Sequence, residues 1–148
     1  MSIQEGDVAP DFSLKNQKGE TVSLKQFKGK KNVVLYFYPK DDTPGCTKEA
    51  CTFRDQYEVF MKQGSEVIGV SSDTVDSHSK FSQKYHLPFS LLADEGGALR
   101  KTYGVQKTMG IFPGRVTYVI DREGLVKKIF SSQLNATKHV EEALQALP

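Results

Sequence analysis

The chain lacks several features that would assign it to a common class of protein. Only two of its 148 residues are cysteine, which is too few for a disulfide scaffold. No apolar run reaches the length of a membrane span, and residues 1–6 do not follow the charged-then-apolar order of a signal peptide. The formal net charge is only +2, with both signs spread along the chain, so the basic surface of a nucleic-acid-binding protein is not expected.

Metal-ligating patterns are also missing. The three histidines, His78, His86 and His139, are scattered, and no cysteine–histidine grouping has the spacing of zinc ligands. We expect all three to be surface residues. Asp41 and Asp42 are adjacent carboxylates that suit a metal or an acid–base pair, but their place in a polar segment favours solvated loop charges.

What the chain has is a balanced, globular composition. Apolar residues make up 38% and charged residues 26% of 148 residues, a length that suggests one domain with its own core. There is no internal repeat, linker or low-complexity run. The sequence therefore predicts a single domain over residues 1–148.

Both cysteines lie in one short segment, and this is where the sequence suggests chemistry. Thr43 and Pro44 are a favourable helix start, with a hydroxyl N-cap and proline at the first helical position. Cys46 is then the third residue of the helix, and Gly45 before it has no side chain, so a small reactant can reach the turn. Unpaired N–H groups and the positive end of the helix dipole favour the reactive thiolate there. A second thiol, Cys51, follows five residues later.

The spacing of the two cysteines limits what they can do together. Apolar residues at helical intervals predict one helix that continues to Met61. Residues five apart on an ideal α-helix have Cα atoms about 8–9 Å apart, whereas a disulfide needs about 4.4–6.8 Å. Cys46 and Cys51 can therefore bond only if the first turns unwind. The alternative is that Cys51 is a buried small hydrophobe, which is a common role of free cysteine.

The remaining pattern predicts a mixed α/β fold. An N-terminal hairpin precedes a strand–helix–strand unit, which implies parallel strands joined by a right-handed crossover, and a late hairpin adds antiparallel strands. This order fits a thioredoxin-like fold with a mixed central sheet, flanking helices and an N-terminal β-hairpin extension. The predicted strands are 11–14, 21–24, 32–38, 66–71, 91–93, 116–120 and 125–130, and the predicted helices are 44–61, 77–85, 97–103 and 137–147, the last capped by Thr137.

These motifs resemble the peroxiredoxins over nearly the whole chain. The pattern from Pro39 through Thr43 to Cys46 is similar to the active-site signature Pro-x3-Thr-x2-Cys of that family. A second cysteine five positions later, as at Cys51, is typical of the Q subfamily, also called bacterioferritin comigratory protein. The late segment that begins at Gly114-Arg115 and runs to Asp121 matches the family in order and context.

The resemblance implies a role for each residue of the motif. Cys46 resembles the peroxidatic cysteine, whose thiolate attacks a hydroperoxide and becomes a sulfenic acid. Thr43 resembles the hydroxyl that bonds the sulfur and the peroxide, and Arg115 the guanidinium that polarises the peroxide. Pro39 resembles the residue that shields the pocket. The backbone N–H groups of Gly45 and Cys46 are expected to bind the developing negative charge.

The resemblance also implies how the reaction is completed. Cys51 resembles the resolving cysteine, which would form an intramolecular disulfide with Cys46 that thioredoxin or a similar dithiol reduces. The family implies no metal and no bound organic cofactor, no nucleic-acid or membrane partner, and a monomer. We expect bacterial cytoplasm as the compartment, or a plastid if a transit peptide has been removed.

Other interpretations stand beside these roles. Taken by itself, Thr43 can be a helix cap with no further role, and Arg115 can be a surface cation. Arg54 can pair with Glu58 in a surface ion pair that contributes little to stability. Phe112 can line a peroxide pocket or pack in its loop. A thiol–disulfide oxidoreductase is an alternative function, although such enzymes usually use Cys-x-x-Cys, and a non-enzymatic redox sensor is another.

Overall fold

The computed structural model describes residues 3–105 and 114–148. Its centre is a five-stranded sheet, and a separate two-stranded hairpin lies near the N-terminus. The strands, in chain order, are β1 (Ser13–Lys15), β2 (Thr21–Ser23), β3 (Asn32–Phe37), β4 (Ser65–Ser71), β5 (Ser90–Ala93), β6 (Val116–Ile120) and β7 (Val126–Ser131). The predicted N-terminal hairpin is present as the antiparallel pair β1–β2.

Within the described residues, five α-helices connect or flank these strands, in addition to short 3-10 turns over Leu24–Phe27 and Glu95–Gly97. They are α1 (Pro44–Asp55), α2 (Tyr57–Lys62), α3 (Val75–Tyr85), α4 (Ala98–Thr102) and α5 (Ala136–Ala146). The prediction of one helix up to Met61 was wrong in one respect, because the backbone leaves helical geometry at Gln56 (φ −102°, ψ 3°) and starts again as α2. Helix α5 is preceded by Asn135 at the N-cap and not, as expected, by Thr137.

The central sheet is mixed, as the sequence predicted. Its order is β5-β4-β3-β6-β7, with β3, β4 and β5 parallel and β6 and β7 antiparallel to their neighbours. Strand β3 is buried along its whole length, as expected for a central strand covered on both faces. The last residue pair of the β3–β6 ladder is Phe37 with Val116, and beyond this pair the two strands are no longer paired.

Helices cover both faces of this sheet. One face packs against α1, α2, α3 and α5 through a cluster that contains Phe53, Phe60, Phe81 and Val140. The other face packs against α4 and the N-terminal segment. Each large apolar side chain that is fully buried in this way contributes about 1.5–3 kcal/mol to folding. The thioredoxin-like fold class is therefore confirmed in its layers and strand directions, and it brings the start of α1 to the carboxyl end of β3.

Among the described residues, no helix has both the length and the apolar character that crossing a bilayer requires.

Candidate active site

Helix α1 begins at the residue that the sequence predicted. Thr43 is the N-cap residue in extended conformation (φ −100°, ψ 156°), and Pro44 is the first helical residue. Cys46 is therefore the third residue of the helix, and its side chain is buried, with 2% of its surface exposed. In the part of the chain that the structure describes, the N–H groups of Gly45 and Cys46 have no hydrogen-bond acceptor. They are available to bind negative charge at the start of the helix.

The Thr43 hydroxyl does not cap the helix, contrary to the sequence prediction. It donates to the carbonyl oxygen of Lys40 at 2.9 Å, and so it closes the turn between β3 and α1. A hydroxyl oxygen that donates its proton still has lone pairs for another donor. The side chain therefore keeps the capacity to accept a hydrogen bond from a bound molecule.

Arg115 is a site residue and not a surface cation, because its exposed fraction is only 5%. Its guanidinium donates to the Cys46 Sγ at 3.4 Å, to the Glu49 Oε1 at 2.5 Å and to the Gln133 carbonyl oxygen at 3.2 Å. A planar fork of donors reaches three acceptors in this way, which a lysine ammonium on a single flexible stem does not reproduce. The alternative that Arg115 is a solvated cation was wrong.

Gly45 makes room for this guanidinium. A Cβ atom at position 45 would lie 3.1 Å from the nearest terminal nitrogen of Arg115. The absence of a side chain there was predicted to admit a small reactant. The structure adds that the same space lets Arg115 approach the first turn of α1 closely.

Glu49 completes the site and was missed by the sequence analysis. It lies one turn after Cys46, has no exposed surface, and accepts a hydrogen bond from the Arg115 guanidinium. Burial raises the pKa of Glu49 to about 8, although the charge and hydrogen bond of Arg115 act in the opposite direction. Its Oε2 atom is buried without a hydrogen-bond partner among the described residues, which is consistent with a carboxyl group that holds its proton readily. The helical spacing Cys-x-x-Glu was the available signal.

The electrostatics of Arg115 follow from the same contacts. Burial by itself would lower the pKa of Arg115, but the negative charges of Glu49 and Cys46 outweigh it and raise that pKa. A permanently charged fork next to a buried sulfur is an environment typical of a reactive cysteine.

His139 borders the site from α5 and is buried, so its expected surface location was wrong. Its Nε2 donates to the Ser132 carbonyl oxygen at 2.7 Å, and its Nδ1 lies 2.8 Å from the Thr117 Oγ1. Burial lowers the pKa of His139 to about 4, so the ring is neutral at pH 7 and its Nδ1 accepts from the Thr117 hydroxyl. The Nδ1 atom lies 3.7 Å from the Glu49 Oε2.

The turn before α1 is held by a second buried cluster. Asp41 is buried and not solvated, contrary to expectation, and its carboxylate accepts from the Tyr38 hydroxyl at 2.5 Å and the Ser77 hydroxyl at 2.8 Å. The Nδ1 of His78 lies 2.7 Å from the same carboxylate. His78 has no exposed surface, so its expected surface location was also wrong. This cluster anchors the turn that carries Thr43.

Asp42, by contrast, is exposed and binds Lys84 at 2.8 Å, as a solvated charge would. The Asp41 cluster also includes Asp73 and has the composition of a metal site. Its side chains, however, already have hydrogen-bond partners, since His78 pairs with Asp41 and the Asp73 carboxylate accepts from the Ser71 hydroxyl.

The remaining sequence-predicted residues lie as follows. Pro39 is half-buried and directly follows Tyr38 at the end of β3. Cys51 lies in the same intact helix as Cys46, is half-buried, and both cysteines are free. Arg54 does not pair with Glu58, because it donates to the Asp55 carboxylate at 3.0 Å and to the Tyr85 carbonyl at 2.8 Å.

His86 is exposed, as expected, and ends helix α3 in left-handed conformation (φ 54°). Phe112 lies outside the described residues.

Comparison with known proteins agrees with this geometry. Residues 5–129 match the model of the AhpC/TSA family. The chain is 53% identical over 146 residues to a chloroplastic peroxiredoxin Q of Triticum aestivum. The matched region covers 98% of this chain and 67% of the relative.

Solved structures give the same result. The peroxidoxin BcpB of Mycobacterium tuberculosis superposes with a TM-score of 0.90 at 35% identity, covering 98% of this chain and 96% of that one. The bacterioferritin comigratory protein of Xanthomonas campestris, described for its alkyl peroxide reduction activity, superposes with a TM-score of 0.84 at 32% identity, covering 99% and 98%. A buried cysteine at a helix start beside an arginine, a sequence match over most of the chain and these superpositions lead to one conclusion: the chain belongs to the AhpC/TSA family, as a thiol peroxidase of the peroxiredoxin Q kind.

Proposed function

We propose that the sulfur of Cys46 is the atom that reduces the hydroperoxide. The thiolate sulfur attacks the terminal oxygen of the O–O bond, an S–O bond forms, and the O–O bond breaks. Cys46 is oxidised to a sulfenic acid, and the other oxygen leaves as an alkoxide or hydroxide that takes up a proton and becomes an alcohol or water. The substrate class is hydrogen peroxide and organic hydroperoxides.

The observation that carries this proposal is the 3.4 Å contact between the Arg115 guanidinium and the buried Cys46 sulfur. The same fork is within reach of an oxygen bound next to the sulfur, and the free N–H groups of Gly45 and Cys46 add further donors. Preorganised donors at the position where negative charge develops are usually the largest contribution to such a reaction.

Thr43 and Pro39 are proposed to bind and shield the peroxide. The Thr43 hydroxyl donates to Lys40, so its free lone pairs are available to accept the O–H of a hydroperoxide. Pro39, which follows the buried Tyr38, presents a side chain that cannot donate a hydrogen bond. A pocket wall of this kind limits the access of water to the sulfenic acid.

Cys51 is proposed to resolve the sulfenic acid. Its thiolate attacks the Cys46 sulfur, an S–S bond forms, and the hydroxyl group leaves as water after gaining a proton. Both residues lie in the intact helix α1, where ideal geometry puts their Cα atoms about 8–9 Å apart. This exceeds the disulfide range of about 4.4–6.8 Å, so resolution requires the first turns of α1 to unwind.

A peroxidase of this family needs a dithiol reductant, and we propose thioredoxin. Because an intramolecular disulfide needs no second chain, we propose a monomer that acts as a single domain over residues 1–148. The wheat relative is named chloroplastic, which supports the plastid alternative for the compartment. Bacterial cytoplasm stays a prediction.

The test is intact-protein mass spectrometry after addition of one equivalent of hydrogen peroxide. We expect the wild-type chain to lose two hydrogens, with peptide mapping that joins Cys46 to Cys51. In the matched variant Cys51→Ser we expect one added oxygen, trapped by dimedone at Cys46. Reduction by thioredoxin should restore the wild-type mass.

Two outcomes would contradict the proposal. An oxidised Cys51→Ser chain that takes up no dimedone, together with a Cys46→Ser chain that is labelled at Cys51, would exclude Cys46 as the residue that reacts first. A wild-type chain that reduces a protein disulfide faster than it consumes hydroperoxide would indicate a thiol–disulfide oxidoreductase.

A further inference from the structure

Arg100 is a buried cation to which the sequence analysis assigned no role. It lies in α4, on the opposite face of the sheet from α1, with 9% of its surface exposed. Its two terminal nitrogens donate to different segments, one to the Gly114 carbonyl oxygen at 2.7 Å and the other to the Tyr38 carbonyl oxygen at 2.6 Å. The side chain therefore bridges two parts of the backbone that are 76 positions apart in the sequence.

These two carbonyls are at the point where the sheet opens. The β3–β6 ladder ends with the pair Phe37 and Val116. Tyr38 follows Phe37 at the end of β3, and Gly114 lies two residues before Val116 at the start of β6. Tyr38 directly precedes Pro39, and Gly114 directly precedes Arg115. The guanidinium of Arg100 thus links the two backbone segments just beyond the last paired residues of the ladder.

The charge of Arg100 has no acidic side chain as its direct partner among the described residues. The nearby Asp94 carboxylate accepts instead from the backbone N–H groups of Leu99 and Arg100. The guanidinium carbon also lies 5.8 Å from the centre of the Phe37 ring. Burial lowers the pKa of Arg100, while the charges of Asp94 and Cys46 act in the opposite direction. The hydrogen bonds of the Arg100 guanidinium therefore go to backbone carbonyl oxygens and not to a carboxylate.

We propose that Arg100 is a positioning residue of the peroxidase site, whose fork fixes the separation between the Pro39 segment and the Arg115 segment. Arg115 touches the reacting sulfur, and Pro39 borders the turn that leads to it, so a change in their separation misaligns the donors around the peroxide. A displacement of about 1 Å in such a site can reduce the rate by about 100-fold. This inference rests on the roles proposed above for Cys46 and Arg115.

The test uses the full chain in a Cys51→Ser background, so that only Cys46 reacts. Two rate constants are measured by stopped flow, one for oxidation by hydrogen peroxide and one for alkylation by iodoacetamide. Peroxide reduction depends on the surrounding donors, whereas alkylation depends on the thiolate and its access. The ratio of the two rate constants therefore reports on positioning, and general loosening of the fold does not lower it selectively.

We expect Arg100→Met and Arg100→Lys both to lower this ratio by about 10- to 100-fold, since neither side chain can bind both carbonyls with a planar fork. The matched controls are Arg54→Met and Arg54→Lys. Arg54 also donates a guanidinium N–H to a backbone carbonyl, that of Tyr85 at 2.8 Å, but it does not contact Cys46 or Arg115. Its variants should keep the ratio within about twofold of the parent.

An unchanged ratio in a folded Arg100 variant would overturn the proposal, with folding checked by circular dichroism and cooperative thermal unfolding. A low ratio in Arg100→Met that Arg100→Lys restores would also overturn it, because charge alone would then suffice. If Arg100→Met does not fold, the ratio measured for Arg100→Lys tests the proposal, and an unchanged ratio would again overturn it. Failure of the underlying function has a different signature, namely that Cys46→Ser in wild-type background still consumes peroxide.

Discussion

The two cysteines of helix α1 are the same residue type in the same helix, but their surroundings differ. Cys46, in the first turn, is 2% exposed and accepts a hydrogen bond from Arg115. Cys51, in the second turn, is half-buried, and in the portions of the chain that the structure describes no hydrogen bond reaches its sulfur. A fixed, charged environment suits a nucleophile that attacks first, and a less constrained one suits a thiol that must move.

The contacts around Cys46 also indicate what holds the start of α1 in place. The hydrogen bond between the buried Glu49 and Arg115 ties the second turn of α1 to the segment before β6, and Ala50 and Phe53 pack into the core. Removal of Glu49 would leave the Arg115 guanidinium buried without its carboxyl partner, and such a loss costs about 3–5 kcal/mol. The first turns are therefore rigid while Cys46 is reduced, although resolution needs them to unwind.

The largest expected effect is the loss of peroxidase activity on replacement of Cys46, which distinguishes its role from that of Cys51. Cys46→Ser should reduce peroxide consumption to the uncatalysed background, because a serine hydroxyl in place of the thiolate is a far weaker nucleophile. Steady-state consumption coupled to thioredoxin and its reductase measures this.

Cys51→Ser is the matched control for that change. It should consume one equivalent of peroxide at the wild-type rate and then turn over at least about 10-fold more slowly, because no internal thiol displaces the hydroxyl. Equal losses in the two variants would remove the distinction between the cysteines.

Replacing the guanidinium that distinguishes Cys46 is the next largest effect. Arg115→Lys should lower the second-order rate of peroxide reduction by about 100-fold, because a point charge loses the fork that reaches Cys46, Glu49 and the Gln133 carbonyl. Stopped-flow oxidation of the Cys51→Ser background measures it. Arg122→Lys, an exposed arginine in a turn, is the control and should retain the parent rate. A loss below threefold for Arg115→Lys would argue against the assigned role.

Unwinding of the helix start on oxidation is the third expected effect. Amide hydrogen exchange read by mass spectrometry should show at least about 10-fold faster exchange over residues 45–51 in the oxidised chain, because the disulfide excludes helical geometry there. Helix α5 provides the internal control and should exchange at the same rate in both forms. Equal protection of residues 45–51 in the two redox states would contradict the unwinding.

The last expected effect concerns stability and not the reaction, and it is a pH dependence of the same helix start. The folded-state pKa of Glu49 is about 8, whereas an exposed glutamate titrates near pH 4.3. The folded state therefore binds one proton more than the unwound state between about pH 4.3 and 8. Stability is fully present below this range and falls by up to about 1.4 kcal/mol per pH unit across it.

Urea unfolding of the reduced chain at several pH values measures this slope. Its control is Glu49→Gln, which cannot titrate and should give a flatter profile from pH 5 to 8. Identical slopes in the wild-type and variant chains would show that Glu49 is not the group that responds.

Much of the fold followed from local patterns in the sequence. The apolar run of β3, the turn of the late hairpin and the Thr43-Pro44 helix start each depend on neighbouring residues, and all three were predicted correctly. The break at Gln56 was not, because apolar spacing continues through it into α2. The helical period indicates which residues face the core, but not whether the backbone stays helical throughout.

The errors concern buried polar residues. His78, His139 and Asp41 were expected in solvent, and all are buried in hydrogen-bond networks. Composition favours exposure for such residues, and only partners from distant segments reverse that preference. The partners of His139 come from β6 and from the segment after β7, 22 and 7 positions away, which no local pattern reports.

The sequence by itself determined that a thiol would stand at the start of a helix after a central strand, and that its partner thiol would be out of reach while that helix is intact. Both follow from local geometry, the caps and the rise per residue of an α-helix. Tertiary structure decided that Arg115 contacts Cys46 and Glu49 of this helix, and that Arg100 joins the backbone at Tyr38 to the backbone at Gly114. Their guanidinium and carboxylate groups come from different elements, and long-range packing alone brings such groups within hydrogen-bond distance.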